Sequence, residues 1–241
     1  MISICMASFN GQDFILEQIN SILFQLNDSD ELIIVDDCSL DSTIAIIESI
    51  NDSRIKLYRN ITNQGVVGSF ERAISLSLGE IVFLSDQDDI WVQEKVSRFM
   101  REFDSFECDV VMSDCVIVDK EDRVLYDSFF KYRNTSSNFL KNIYKNSYIG
   151  CNMAFRRKLI KYILPIPNNV NMHDQWIGLI GSANGSVRLI EEKLIRWRRH
   201  PATVTSFKRG SFYKVIKDRI VISINLIVRL FVLLKKYNGL R

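Results

Sequence analysis

Residues 81–91, Ile81-Val82-Phe83-Leu84-Ser85-Asp86-Gln87-Asp88-Asp89-Ile90-Trp91, run from four consecutive apolar side chains into three carboxylates in four positions. The apolar run reads as a strand buried on both faces. Ionised carboxylates at the end of such a strand are costly unless they meet a cation, helix N–H groups or open water. Asp88 or Asp89 can cap a helix that begins near Trp91, but capping does not absorb all three charges. An oxygen-only set suits Mg2+ or Mn2+, ions that keep several waters and bridge to phosphates.

The same arrangement recurs upstream. Residues 2–7 form a short apolar run that ends in Ser8-Phe9-Asn10-Gly11, and residues 32–35 form another that ends in Asp36-Asp37-Cys38-Ser39. Between them Phe14, Ile15, Ile19, Ile22, Leu23 and Leu26 recur at helical spacing. Asp41 or Ser42 can cap a helix whose apolar face is Ile44, Ile47 and Ile50. Residues 55–58 are a third strand, a helix over 69–78 stops at Gly79, and another follows over 92–103. This alternation predicts an α/β fold with a mostly parallel sheet covered on both faces. Ligands bind beyond the carboxyl ends of such strands, where the clusters at 8–10, 36–39 and 86–89 all fall. Asp36-Asp37 reads either as a polar exit and cap for the helix at Thr43 or as a hydrogen-bonding pair for a nucleotide base or ribose.

After residue 104 the rhythm changes. Strands are expected over 110–118, 148–155, 187–190 and 194–198, and a helix over 172–183. No repeat or low-complexity linker interrupts the chain, so this half is expected to complete the same domain. At 241 residues and 47% hydrophobic, the chain can bury a large core as one domain or as a domain with an appendage. A net charge of +2 gives no global field for nucleic acid, and none is expected as a partner. The five cysteines are scattered without a CxxC pair, which argues against a disulfide framework or zinc site and for a reducing compartment; they read as core or bystander residues. The first residues, MISICMASFN, read as a strand and not as a signal peptide, so a cytoplasmic protein is expected.

Residues 211–241 carry seven Lys/Arg and one Asp, a charge of +6 that leaves the other 210 residues at −4. Lys214, Asp218, Asn225, Arg229 and Lys236 share one helical stripe, and Ile, Val, Leu and Phe fill the rest. The longest uncharged run, 220–228, is far short of the roughly 20 residues of a membrane span. A basic helix with a wide apolar face suits the surface of an anionic membrane; the alternative is a helix that packs on the core or on a second copy.

The stretches IVDDCSLDST (34–43), Asn63-Gln64-Gly65 and FLSDQDDIW (83–91) resemble family 2 glycosyltransferases with the GT-A fold, whose Asp-any-Asp motif matches Asp86-Gln87-Asp88. YIGCNMAFRRKL (148–159), NMHDQWIGLIGSANG (171–185) and LIRWRRHPATV (194–204) are similar to a bacterial branch that builds O-antigen lipopolysaccharide and capsular polysaccharides and includes hexosyl- and rhamnosyltransferases. The resemblance is collinear over residues 2–205. It implies a GT-A domain over 1–205, with a nucleotide-binding half (1–104), an acceptor-binding half (105–205) and the basic helix at 206–241.

Carried over position by position, the resemblance implies that Ser8 and Asp37 meet the nucleotide's base, with Asp37 accepting from its ring N–H. Asp86 would hold the ribose or a metal-bound water, Asp88 would ligate the metal, and His200 would approach the metal or diphosphate. Asp174 would be the general base. The implied substrate-contacting set is Ser8, Asn10, Asp37, Asn63, Gly65, Asp86, Gln87, His173 and Trp176, and the metal set is Asp86, Asp88 and His200. Read from the residues alone, His200 could belong to a solvated Arg-rich face, His173 could orient Asp174 or cap its helix, and Trp176 could be core. Two positions depart from the family pattern: His173 stands where many relatives have an acid, and Phe70 where many have Arg.

The expected activity is inverting transfer from a nucleoside-diphosphate sugar, UDP-glucose or UDP-galactose, to a lipid-linked glycan at the inner membrane face, with Mn2+ or Mg2+. A β-1,3 linkage to GlcNAc-diphospho-undecaprenol is the branch's implication, and dTDP-rhamnose is the alternative donor. Asp174 is expected to be ionised, with an ordinary carboxylate pKa of about 4. Two rivals are a phosphoacceptor receiver domain and a non-catalytic sugar-nucleotide module. The receiver needs paired acids after the first strand, where this chain has Ala-Ser-Phe-Asn; the module is disfavoured by the intact carboxylates and Asp174.

Overall fold

The apolar run at 81–84 is a strand at the centre of the sheet. β4 (Ile81–Ser85) is buried along its whole length, with β1 (Ile2–Ser8) parallel on one side and β8 (Met153–Arg156) antiparallel on the other. The computed structural model describes residues 1–201 and 212–238. Among these, nine strands form one sheet in the order β3-β2-β1-β4-β8-β6-β9-β5, with β7 beside β6. β2 is Glu31–Asp36, β3 Ile55–Arg59, β5 Ile90–Trp91, β6 Val110–Asp119, β7 Val124–Tyr126 and β9 Val187–Arg199. The long ladders (β1 with β2 and β4, β2 with β3, β6 with β9) are parallel; the antiparallel ones are short.

The helices are α1 (Ile15–Leu23), α2 (Thr43–Ser49), α3 (Gly65–Leu76), α4 (Lys95–Ser105), α5 (Phe129–Arg133), α6 (Phe139–Tyr144), α7 (Ile160–Ile163), α8 (His173–Asn184) and α9 (Phe212–Asn238). α4 shows why they dock: Val96, Phe99 and Phe103 recur every three or four residues and are buried, each contributing about 1.5–3 kcal/mol.

Several boundaries differ from expectation. α3 stops at Leu76 and not at Gly79, which serves another purpose: a Cβ there would lie 2.5 Å from the backbone of Ile2 and Ser3. Residues 148–155 are not one strand; a tight 3-10 turn, Gly150–Asn152, precedes β8. The strands expected at 187–190 and 194–198 are one continuous β9, whose pairing with β6 shifts register near Asp114. The expected boundary at 205/206 and the end of the 194–204 motif lie outside the described residues.

α9 docks with its polarity reversed relative to a surface helix. Ile222 and Leu226 are buried, and Asp218, Asn225 and Arg229 face the domain beside them. Asp218 accepts from Asn171 Nδ2 (3.0 Å), Asn225 donates to Asn169 (2.8 Å), and Arg229 donates to the carbonyls of Tyr162 (2.7 Å) and Leu164 (3.0 Å). Tyr213, Ile216, Ile220, Ile224, Ile227, Val228 and Phe231 are exposed; at 100° per residue they share about a third of the circumference. The side chains of Lys214 and Lys236 lie outside the described ones.

Candidate active site

The carboxyl ends of β1, β2 and β4 are stitched together by their own polar residues. The Gln87 amide pairs with the backbone of Phe9, accepting from its N–H (2.9 Å) and donating to its carbonyl (3.0 Å). A side chain at Gly11 would collide with that amide, its Cβ falling 2.3 Å from Gln87 Oε1. Asn10, at φ +48°, accepts from Leu40 N–H (2.8 Å). Asp36 accepts from the hydroxyls of Ser8 (2.9 Å) and Ser39 (2.6 Å).

Asp37 caps a helix, though not the one at Thr43. Its carboxylate accepts from the backbone N–H groups of Gln64 (2.7 Å) and Gly65 (2.8 Å) and from Asn60 Nδ2 (2.7 Å), which closes the start of α3. Asn63 reaches back to the Asp37 carbonyl (3.3 Å), and Gly65 takes φ +72°, which favours glycine. The helix at Thr43 is held by Asp41, which accepts from the Thr43 N–H (2.9 Å). Ser8 and Asp37 are thus buried and internally bonded, and Gln87 is a clamp. Asn10 and Asn63 are the exposed members of this rim.

The three acids after β4 diverge in role. Neither Asp88 nor Asp89 caps a helix: β5 pairs with β9, so the chain runs extended before α4 starts at Lys95. Asp89 is fully buried; its Oδ1 accepts from Arg198 N–H (3.0 Å), while Oδ2 has no partner among the described residues. Asp88 Oδ2 lies 2.8 Å from His200 Nε2, and the His200 ring packs on Phe14 with centroids 4.7 Å apart. Oxygens of Asp86 and Asp89 and the Cys151 sulfur lie within 4.8 Å of one another. Cys151, expected to be core or bystander, is buried in the core and also lies in this cluster.

Burial, and then the charges of Asp88 and Asp174, push the Asp86 pKa up. Asp89 is pushed up by burial and by Asp88 and Asp86. Carboxylates that repel one another, with an orphaned buried oxygen and an imidazole beside them, fit a divalent cation with oxygen-rich ligation. Among the described residues, the groups that could hold such an ion are Asp86 with Asp89 and Cys151, and the contacting pair Asp88 and His200.

Asp174 begins α8. Its Oδ1 accepts from Gln175 N–H (2.5 Å), and the backbone N–H of Gly150 also favours the charged carboxylate. Burial lifts its pKa to about 6, against the pull of these N–H groups and of Arg133. That corrects the ordinary value expected from a helix N-terminus: desolvation outweighs the dipole. His173 stacks on Phe70, with centroids 4.0 Å apart and planes 21° apart. Burial lowers its pKa to about 3, so the ring is neutral. The two departures from the family pattern are therefore one contact, an apolar stack. Trp176 is 0% exposed and donates Nε1–H to the Ile163 carbonyl (2.9 Å), which places it in the core, the second of its two expected readings.

The profile of Glycosyl transferase family 2 matches residues 3–164. The chain belongs to this family. Among its glycosyl transferase relatives, an uncharacterized glycosyltransferase from Nostoc is 26% identical over 210 residues, covering 83% of this chain and 65% of that protein. The UDP-Glc:alpha-D-GlcNAc-diphosphoundecaprenol beta-1,3-glucosyltransferase WfaP of Escherichia coli is 37% identical over 98 residues, 41% of this chain and 39% of that protein. The chain thus spans less than two thirds of the length of these relatives. The structure of S. aureus TarS in complex with UDP-GlcNAc superposes with TM-score 0.74 at 23% identity, covering 93% of this chain and 66% of that one, and shares the fold. A Pyrobaculum calidifontis mannosyltransferase, in complex with GDP-Man and Mn2+, superposes with TM-score 0.65 at 18% identity, covering 95% of this chain and 64% of that one. The architecture is an α/β GT-A-type sheet with flanking helices and a C-terminal helix.

Proposed function

We propose that the chain is an inverting glycosyltransferase that moves a hexose from a nucleoside-diphosphate sugar to a hydroxyl of a lipid-linked glycan. The observation that carries this is geometric: the turn Gly150–Asn152 joins the acid cluster, through the Cys151 sulfur within 4.8 Å of Asp86 and Asp89 oxygens, to Asp174, which packs against Gly150. UDP-glucose or UDP-galactose is the donor proposed, and GlcNAc-diphospho-undecaprenol with a β-1,3 linkage the acceptor; similarity to WfaP, a UDP-Glc:GlcNAc-diphosphoundecaprenol β-1,3-glucosyltransferase, supports UDP-glucose and this acceptor.

The nucleoside lies over the tips of β1, β2 and β4, in the half formed by residues 1–104, with Asn10, Asn63 and Gly65 at the rim. Ser8, Asp37 and Gln87 act through the rim's shape, each being bonded within the protein. Asp86, Asp88 and His200 would hold Mn2+ or Mg2+, which when bound offsets charge on the leaving diphosphate. The acceptor enters from the 105–205 half. Asp174 takes the proton of its hydroxyl as that oxygen attacks the anomeric carbon from the face opposite the diphosphate. With a pKa of about 6, Asp174 is mostly deprotonated at neutral pH yet more basic than a free carboxylate. His173, neutral and stacked on Phe70, holds the first turn of α8 without adding charge.

The outward face of α9 is proposed to rest on an anionic membrane, which keeps the enzyme peripheral at the inner face where a polyprenyl-linked acceptor is held. Exposed Ile220, Ile224, Ile227 and Phe231, with Lys217 at their edge, support this. No helix among the described residues is long and apolar enough to cross a membrane.

The test is a panel of nucleotide sugars with a GlcNAc-diphospho-lipid acceptor, with and without Mn2+. Acceptor-dependent release of UDP from UDP-glucose or UDP-galactose supports the reading; binding of donors without release of any nucleoside diphosphate would leave a non-catalytic binding module.

A further inference from the structure

Lys95 is an unusual residue for a domain core. It opens α4, is 0% exposed, and ranks among the largest fully buried side chains. Its ammonium donates to the Cys151 carbonyl (2.7 Å) and sits 3.7 Å from the centroid of the Trp91 ring. Burying an ammonium is costly, and a methionine of similar length would fill the space without that cost.

The carbonyl it holds belongs to the three-residue turn Gly150–Asn152, and every residue of that turn has a separate partner. Gly150 packs against the first turn of α8, beside His173 and Asp174. Cys151 places its sulfur against Asp86 and Asp89. Asn152 Nδ2 donates to the Ser113 carbonyl of β6 (3.0 Å). The turn therefore touches the acid cluster on one side and the base on the other, and Lys95 grips it in the middle. Packing on the far side is tight, since a Cβ on Gly150 would lie 2.8 Å from His173 Nε2 and 3.5 Å from Asp174 Cβ. A shift of the turn has little space to dissipate before it reaches Asp174.

We propose that Lys95 is a positioning residue: by pinning the Cys151 carbonyl it fixes the turn whose Gly150 packs against His173 and Asp174, and so the place of Asp174 relative to the acceptor hydroxyl. This rests on Asp174 being the general base. Lys95 touches neither substrate; its effect passes through the turn.

The test compares wild type, Lys95→Met and Asp174→Asn in three measurements: transfer to the lipid-linked acceptor, slow hydrolysis of the donor by water, and donor affinity by calorimetry with Mn2+. For Lys95→Met, transfer kcat should fall about 10- to 100-fold, the scale of a misplacement near 1 Å. Donor affinity should stay within about threefold of wild type, because donor binding does not use the proton acceptor, and hydrolysis should fall less than transfer, because a small water can follow a shifted Asp174 where the acceptor hydroxyl cannot. Loss of all three in parallel would mean a general structural role and overturn the proposal. A fall in donor affinity matching the fall in turnover would assign Lys95 to the acid cluster and overturn it equally. If Lys95→Met does not fold, Gly150→Ala presses on the same turn with Lys95 intact and should show the same selective loss; wild-type transfer in Gly150→Ala refutes the coupling. Asp174→Asn separates the two levels. If it retains transfer, the base assignment fails; if it loses transfer while Lys95→Met does not, only the positioning role fails.

Discussion

Replacing Asp174 by Asn should abolish turnover and make the protein more stable. The folded state raises the carboxyl pKa from 3.8 to about 6, chiefly by burial. A raised carboxyl pKa means the folded state disfavours the charge. The penalty is absent below pH 4, builds as pH rises from about 4 to 6, and is constant above about 7. At 1.36 kcal/mol per unit its ceiling is about 3 kcal/mol. Asp174 is half-buried, and water reaching it lowers the realised penalty to about 1–2 kcal/mol. Asn keeps an oxygen that can accept from Gln175 but carries no charge to desolvate. In denaturant melts Asp174→Asn should therefore exceed wild type by about 1–2 kcal/mol at pH 7.5, or a few degrees in Tm. The gap should shrink by roughly half or more at pH 5. A variant equal to or less stable than wild type at pH 7.5, or a gap that ignores pH, would refute the claim that Asp174 is held under electrostatic strain.

Transfer should lose about tenfold per pH unit below pH 6 as Asp174 protonates, where an ordinary carboxylate would hold the rate to about pH 4; a pH profile of kcat checks this. Asp88→Asn, which breaks the contact with His200, should weaken donor binding when Mn2+ is supplied and abolish turnover, and EDTA should do the same reversibly; full activity in EDTA would exclude the metal assignment. Ile224→Glu with Ile227→Glu, both on the exposed face of α9, should release the protein from anionic liposomes in flotation assays while leaving its melting and its transfer to a soluble acceptor unchanged. Continued binding would point the apolar face elsewhere.

The carboxyl-end clusters were legible because continuous apolar runs mark buried parallel strands, and Asp36-Asp37 and Asp86–Asp89 follow such runs directly. What escaped reading has physical causes. β5 has two residues, too few for any period, and its pairing with β9 draws Asp89 to an Arg198 amide where local spacing suggests a helix cap. The turn at 150–152 is invisible in an apolar stretch that reads as strand. Lys95 scores as a surface residue, and only the position of Trp91 beneath it shows otherwise. For α9 the stripe of Asp218, Asn225 and Arg229 was visible, but periodicity cannot tell which face turns inward; carbonyls at 162 and 164 that need donors decide it. The pairing of Phe70 with His173 joins positions far apart in the chain, so neither alone announces the other.

The most direct test of the mechanism is acceptor-dependent UDP release by wild type and Asp174→Asn, with donor affinity measured on the same samples in Mn2+. The account predicts donor affinity within about threefold of wild type and kcat lower by ~10²–10⁴, the range for lost acid–base catalysis. Near-normal kcat in Asp174→Asn would contradict it.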